Sequence, residues 1–162
     1  MEEDAMRTKR QLNSQGINKL KADLSDKRTK EEQFKLDAAN YAKTSVANIR
    51  EMVEALEAAG QDYKKREEVQ QTIQEDALAV EVRSSWYAPG DTDAAKPSEY
   101  NILITTGGPA ARIIGDLDQY GQPTNARFEY QDWFQPWTEV PLQSKDTDIL
   151  RTYVQEFYFG EG

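Results

Sequence analysis

The sequence predicts an α+β fold: an N-terminal helical hairpin, a small antiparallel β-meander of three or four strands, and a C-terminal helix packed on the sheet. Two observations lead to this prediction. Over residues 29–59 the apolar positions recur every three or four residues, which is the spacing of one helix face. From residue 100 to residue 131, apolar and polar residues alternate in runs separated by glycine-bearing turns, as antiparallel strands require.

The helix over residues 29–59 is the clearest element, and Gly60 supplies its stop. Its apolar stripe consists of Phe34, Ala38, Ala42, Val46, Ile49, Val53 and Leu56. A helix over about 62–76 follows after a short connection, so the two should pack as an antiparallel hairpin. Because the stripe is narrow and rich in alanine, we expect it to need either the sheet or a second copy of the chain to cover it. A weaker helical pattern spans residues 4–24.

The hydrophobic period changes from 3.6 to 2 near Leu78. We predict a first strand there, although a helix continuing through Val82 fits the same residues. The further predicted elements are strands over 100–106, 110–117 and 125–131, and a last helix from Asp146 or Thr147 to about Phe157. The change of period divides the chain into an N-terminal helical region, 1–76, and a sheet domain, 77–162.

The composition removes several kinds of chemistry. The chain contains neither cysteine nor histidine. Disulfides, thiolate catalysis and cysteine-ligated metals are therefore excluded, and the side chain best suited to acid–base catalysis near neutral pH is missing. An enzyme would have to use carboxylates, lysine, tyrosine, serine or threonine. We therefore expect a non-catalytic protein with no cofactor and no metal site.

The net charge of −9 is unevenly distributed. Residues 81–162 carry 13 acidic and 6 basic residues, whereas residues 1–80 carry 16 and 14. An acidic sheet half repels nucleic acid and attracts basic protein surfaces, although ordinary solubility also explains such a charge. No apolar run approaches the roughly 18 residues of a membrane span. We expect a cytoplasmic protein that binds neither nucleic acid directly nor membranes.

The turn over residues 105–109 (TTGGP) has two interpretations. Its backbone N–H groups could hold a phosphate, with Gly107, Gly108 and Arg112 as ligand-binding residues. The alternative is a tight connection between two strands, which explains both glycines. Asp116 and Asp118 likewise form either a carboxylate pair or ordinary acidic turn residues.

The aromatic segment YQDWFQPW (130–137) interrupts the alternation. Trp133 and Phe134 are neighbours and cannot both point inward from one strand, so part of the aromatic area should face outward. We predict a partner-binding site made of Trp133, Phe134 and Trp137, edged by Asp132, Glu129 and Glu139. The alternative is that these rings are core, with Trp86, Trp133 and Phe157 supplying the bulk of it.

Four stretches carry a resemblance to known proteins: DALAVEVRSSWY (76–87), EYNILITTGGPAARIIGDLDQYGQP (99–123), EYQDWFQPWTEVPL (129–142) and YVQEFYFGEG (153–162). They resemble a family of small accessory proteins of phages, prophages and other bacterial mobile elements. The resemblance covers about half of the chain, 76–162, and transfers no functional residue. It implies a setting in which small acidic proteins often antagonise host defence.

These observations together predict a protein-binding inhibitor of a bacterial defence system, of the anti-CRISPR or antirestriction type. It would act in the bacterial host cytoplasm by binding or charge mimicry on a host protein or complex with a basic, nucleic-acid-binding surface. We also expect a homodimer or higher homo-oligomer formed through the helices. The alternatives are a phage structural or assembly accessory, a protein that sequesters a nucleotide signal, and a carboxylate-dependent enzyme.

Overall fold

A computed structural model describes residues 28–133 and 135–160. The chain divides into two units, Met1–Phe34 and Lys35–Gly162. The helix predicted over residues 4–24 and the predicted site residue Phe134 lie outside the described residues. The elements in chain order are α1 (Lys30–Ala59), α2 (Tyr63–Asp76), β1 (Ala79–Ser84), a 3-10 turn (Thr92–Ala94), β2 (Pro97–Thr105), β3 (Ala110–Asp116), β4 (Arg127–Gln131), β5 (Thr138–Glu139) and α3 (Ser144–Val154). The predicted α+β class is confirmed.

In the first unit, α1 begins with a capping box. The Thr29 hydroxyl accepts a hydrogen bond from the Glu32 N–H (3.1 Å), and the Glu32 carboxylate accepts one from the Thr29 N–H (3.2 Å). Two backbone donors that a helix start leaves without partners are thereby satisfied. This arrangement explains why the helix begins where the sequence predicts.

In the second unit, the apolar stripe of α1 is buried within a single chain. Its members from Ala38 to Leu56 are at most 4% exposed. Tyr41 packs on Tyr130 of β4 with ring centroids 5.6 Å apart, and Arg50 pairs with Asp146 of α3 at 2.5 Å. The sheet and α3 of the same chain therefore cover the apolar stripe of α1. The other possibility left open by the sequence, that a second copy of the chain covers this stripe, is ruled out because the stripe is already buried.

The chain leaves α2 at the point where the hydrophobic period changes. Ala77 has an extended backbone (φ −74°, ψ 135°), and β1 begins at Ala79. The structure thus favours the strand over a helix continuing through Val82. Asp62 caps the other end of α2 by accepting a hydrogen bond from the Lys65 N–H (3.3 Å).

The sheet is an antiparallel meander in the order β1-β2-β3-β4-β5. It has five strands, so the predicted count of three or four is wrong. The extra strand is β5, in which Thr138 pairs with Tyr130 and Glu139 with Glu129. Two residues next to a proline are too short to show any alternation, which is why the sequence did not predict this strand.

Side chains on the two faces of the sheet differ in kind. On the covered face, Ile102, Ile113 and Phe128 lie directly opposite one another across β2, β3 and β4, and all three are fully buried. On the open face, the same strands carry Glu99, Arg112 and Glu129. We define the covered face as the one that packs on the helices, and the open face as the other. Alternation within each strand determines this division.

The C-terminal segment completes the core. The Tyr153 hydroxyl of α3 donates to Asp76 (2.9 Å), and Phe159 packs on Tyr100 of β2 with centroids 4.8 Å apart. The helix starts slightly earlier than Asp146, because the N–H groups of Asp146 and Thr147 already bond to Gln143. Trp86 and Trp133 are exposed, so the alternative in which they form the core is wrong.

Candidate functional site

The structure brings the glycine turn and the aromatic segment to one end of the sheet. Ala110, which begins β3, pairs with Gln131, which ends β4, so the β2–β3 turn lies beside the β4–β5 connection. A Cβ placed on Gly108 would be 3.8 Å from the indole nitrogen of Trp133. We call this region the aromatic corner; its residues are Gly107, Gly108, Asp132, Trp133 and Gln135, which line one shallow depression.

Trp133 is the exposed large side chain of the aromatic corner, with 70% of its surface accessible. A turn at the end of β4 holds its backbone: the Trp133 N–H donates to the Asp132 carboxylate (2.7 Å), and the Gln135 N–H donates to the Asp132 carbonyl (3.0 Å). The Gln131 side chain bonds to the Gln135 carbonyl at 3.1 Å. The indole is therefore displayed on a well-bonded turn.

The turn between β2 and β3 requires its glycines. Gly107 has φ of 97° and Gly108 has φ of 149°, and both values lie in the region that L side chains rarely adopt. The tight connection between β2 and β3 is therefore enough to explain why residues 107 and 108 are glycines, without a bound phosphate.

Arg112 lies apart from this turn, on the open face of β3. It stands opposite Glu129 and donates through Nε to a Glu129 carboxylate oxygen (2.8 Å), and its Nη2 forms an ion pair with the same oxygen (2.7 Å). Its guanidinium carbon is 4.2 Å from the centroid of the Trp137 ring, within the range of a cation–π contact. Arg112 is thus neutralised by Glu129 and stacked on Trp137, and it does not line the depression with Gly107 and Gly108.

Trp137 and Glu129, which the sequence placed in the partner-binding set, therefore have intrachain roles. Both are partly buried, while Glu139 is exposed on β5 and faces Glu129 across the strand pair. Like charges directly opposite are unfavourable, and the ion pair with Arg112 offsets this by neutralising Glu129. Among the members of the predicted set that the structure describes, Trp133 and Glu139 are exposed and Asp132 is partly exposed.

The paired aspartates of the β3–β4 connection act on their own backbone. Asp116 exchanges two hydrogen bonds with the Asn125 side chain: its N–H donates (2.9 Å) and its carboxylate accepts (2.7 Å). The Asp118 carboxylate accepts from the N–H groups of Tyr120 (2.8 Å) and Gln122 (2.9 Å). Both carboxylates therefore stabilise a turn, as the second interpretation of the sequence predicts.

The same connection explains why residue 115 is a glycine. A Cβ at Gly115 would lie 2.3 Å from the Asn125 carbonyl oxygen and 2.6 Å from the Tyr100 hydroxyl, which are both impossibly close. That hydroxyl donates to the Asn125 carbonyl at 2.5 Å. Burial raises the pKa of Tyr100 well above its ordinary value, so the hydroxyl stays protonated and acts as a structural donor.

Sequence reasoning missed the arrangement of charges on the open face. Arg83 donates to Glu99 across β1 and β2 (2.5 Å), and this hydrogen bond lowers the pKa of the Glu99 carboxyl. Between this pair and the Arg112–Glu129 pair lies Asn101, whose buried side-chain oxygen has no hydrogen-bond partner among the described residues. The alternation of polar with apolar residues in 81–83 and 99–101 is the signal that would have predicted this face.

Two further findings concern the described residues alone. They contain no group of three or more aspartate, glutamate, histidine or cysteine side chains placed to hold a metal ion. None of their helices has both the length and the apolar character needed to cross a membrane.

Comparison with known proteins does not assign the chain to a family. No protein-family model, no curated protein and no solved structure matches the chain significantly. The resemblance of residues 76–162 to accessory proteins of mobile elements therefore stays a prediction.

Proposed function

We propose that this chain is a non-catalytic protein-binding protein, and that the aromatic corner is where its partner binds. The observation that carries the proposal is the exposed Trp133, which sits on a hydrogen-bonded turn with the Asp132 carboxylate beside it. Large aromatic side chains of this kind are enriched among the residues that dominate binding free energy in protein interfaces. The hydrogen bond that holds the Trp133 backbone also lowers the entropy lost when such a side chain is fixed in a complex.

The charge around the corner favours a basic partner. Asp132 lies beside Trp133 in the aromatic corner, Glu139 is exposed on β5, and residues 81–162 as a whole carry an excess of seven acidic residues. Rim carboxylates mainly accelerate association with a positively charged surface and make it sensitive to salt. Together with the resemblance of residues 76–162, this supports a defence inhibitor, whose targets commonly carry basic nucleic-acid-binding surfaces.

The open face supports direct binding rather than charge mimicry. A mimic of nucleic acid presents a continuous run of negative charge, comparable to the phosphates of a backbone. Here Arg83 and Arg112 alternate with Glu99 and Glu129 and neutralise them. The proposed mode of action is therefore to occupy a protein site with an aromatic anchor.

The test is a plating assay in bacteria that carry one defence system each, with a panel of CRISPR effectors and restriction enzymes. Expression of the wild-type chain should raise phage plating on at least one strain. The variant Trp133→Ala should reduce affinity for the target about 30-fold or more, since truncating a buried anchor costs about 2 kcal/mol or more. Plating should fall accordingly.

Tyr120→Ala is the matched control. Tyr120 is exposed to a similar extent, 73% against 70%, but lies in the β3–β4 connection at the opposite end of these strands. If phage plating fell equally with both variants, the assignment of the aromatic corner as the binding site would be contradicted. Failure of the wild-type chain on every strain would contradict defence inhibition, while leaving protein binding by Trp133 open to test on another partner.

A further inference from the structure

The two edges of the sheet are protected to different degrees. At one edge, β5 is two residues long and lies between Pro136 and Pro141. At the other edge, β1 has six residues with neither proline nor lysine, and Val80 and Val82 are exposed on it. Proteins normally shield sheet edges with short strands, prolines or lysines, because an open edge pairs with other strands. Among the described residues, no strand covers the outer side of β1.

We propose that two copies of this chain pair antiparallel through β1, about a twofold axis at Val82. In such an isologous contact, positions equally distant from the axis lie opposite each other. When the twofold axis passes through a residue position, each residue lies opposite a residue that points to the same face of its own sheet. The covered faces of both copies therefore lie on one side of a continuous ten-stranded sheet. Val82 then meets its own copy on the axis.

Charge complementarity selects this register. With the axis at Val82, Glu81 lies opposite Arg83 of the second copy, and symmetry repeats the pair. Opposite charges directly across a strand pair are stabilising, whereas like charges are destabilising. An axis at Glu81 or at Arg83 would instead place two identical charges on the axis.

The partners of these two residues within one chain fit the same register. The Glu81 side chain makes no hydrogen bond or ion pair in the described part of the chain, so its carboxylate is available. Arg83 already donates to Glu99. In the dimer its guanidinium would lie between Glu99 of its own chain and Glu81 of the other, which extends the alternation of charge on the open face across the contact.

The flanking apolar residues have the same symmetry. Leu78 and Trp86 flank β1 at equal distances from Val82, so the twofold axis brings each Leu78 to the same end of the strand pair as Trp86 of the second copy. Both are exposed in one chain, and Trp86 is fully so. A fully exposed tryptophan next to an open edge strand gains a partner in this arrangement, and the burial of both side chains adds apolar area to the backbone pairing.

This dimer is independent of the proposed function and leaves its site free. Trp133, the proposed anchor, follows β4, which is separated from β1 by the two intervening strands β2 and β3. Each dimer would present two such corners, and a target with two sites would be bound with increased avidity.

The test is sedimentation velocity of the full-length protein from about 1 to 300 μM. A single strand pair buries less than a standard interface, so we expect dissociation constants of about 1–100 μM. Glu81→Arg places Arg opposite Arg, and Arg83→Glu places Glu opposite Glu. Each variant alone should dimerise at least about tenfold more weakly, since two attractive pairs become repulsive.

Mixing the two variants is the decisive experiment. A heterodimer of Glu81→Arg with Arg83→Glu restores two opposite-charge pairs, so it should form with an affinity within about threefold of the wild type. Native mass spectrometry distinguishes the three dimers by mass. A wild-type chain that stays monomeric over this range overturns the proposal, and so does a mixture that dimerises no better than its components.

The variant Arg83→Glu also places a second negative charge opposite Glu99 in its own chain, which could impair folding. Trp86→Ala tests the same dimer contact without this effect. Trp86 has no buried surface to lose, so this variant should keep the wild-type melting temperature and still dimerise more weakly. Tyr120→Ala, an equally conservative truncation far from β1, should dimerise like the wild type. If Trp86→Ala dimerises like the wild type too, the Val82 register is wrong.

Discussion

The two faces of the sheet are made of alternate residues of the same strands, yet they are stabilised in different ways. On the covered face, Ile102, Ile113 and Phe128 lose all contact with water. On the open face, Arg112 of β3 and Glu129 of β4 are the sequence neighbours of two of these residues, and their side chains remain partly exposed to water. The first face contributes stability through apolar burial, the second through ion pairs of modest strength. The contrast shows that a functional surface here has to be sought at the ends and edges of the sheet.

The strongest test of this comparison uses two adjacent isoleucines. Ile113 is fully buried on the covered face, and Ile114 is only partly buried on the open face. Ile113→Ala should reduce the free energy of unfolding by about 2–5 kcal/mol, because it leaves a cavity in the core. Ile114→Ala is the matched control and should cost about 1 kcal/mol or less. Urea denaturation measures both, and equal losses would contradict the assignment of the faces.

An intermediate effect is expected from the buried tyrosines at alkaline pH. Burial raises the pKa of Tyr153, and the neighbouring Asp76 carboxylate raises it further. The unfolded chain loses this proton near pH 10, before the folded chain does. The stabilising contribution is therefore complete below pH 10 and is lost as pH rises above it, by up to about 1.4 kcal/mol per pH unit for each tyrosine.

Tyr153→Phe separates this effect from general alkaline unfolding. At pH 7 the variant should lose about 1 kcal/mol, since it lacks the hydrogen bond to Asp76. Above pH 10 its free energy of unfolding should fall less steeply than that of the wild type. Parallel curves for the two proteins between pH 9 and pH 11.5 would show that Tyr153 does not titrate as the structure requires.

The sequence predicted best what depends on local period. Every member of the α1 stripe from Ala38 to Leu56 is buried, because a 3.6-residue period specifies a helix face without reference to the rest of the chain. The boundary between α2 and β1 followed from the change of period in the same way. Both predictions depend only on the spacing of apolar residues that are close together in the sequence.

Contacts between distant residues were not predictable in this way. Arg112 stacks on Trp137, 25 positions later, and no local pattern marks that pair. Trp86 was considered for the core because it is large and apolar. It follows the end of β1, however, where alternation no longer specifies a direction, and the structure leaves it exposed. Strand β5 forms because β4 offers a free edge, not because its own two residues favour it.

A smaller effect should distinguish the two ion pairs of the open face. Arg112 is partly covered and stacked on Trp137, whereas Arg83 is largely exposed at the sheet edge. Arg112→Ala should lower the free energy of unfolding by about 1–2 kcal/mol, because it leaves Glu129 opposite Glu139 without a counter-charge. Arg83→Ala should leave the melting temperature unchanged, since exposed pairs contribute little. Differential scanning calorimetry in low and high salt provides the check.

A small effect on stability is also expected at the residue with the largest proposed effect on binding. Trp133 is as large as any core aromatic residue, but its side chain is mostly exposed to water, and the Asp132 carboxylate accepts a hydrogen bond from its backbone N–H. Trp133→Ala should therefore change the free energy of unfolding by no more than about 0.5 kcal/mol. Thermal and urea denaturation of the purified variant measure this directly. A loss of 2 kcal/mol or more, the size expected for a buried ring, would make Trp133 part of the core and remove the aromatic corner as a binding site.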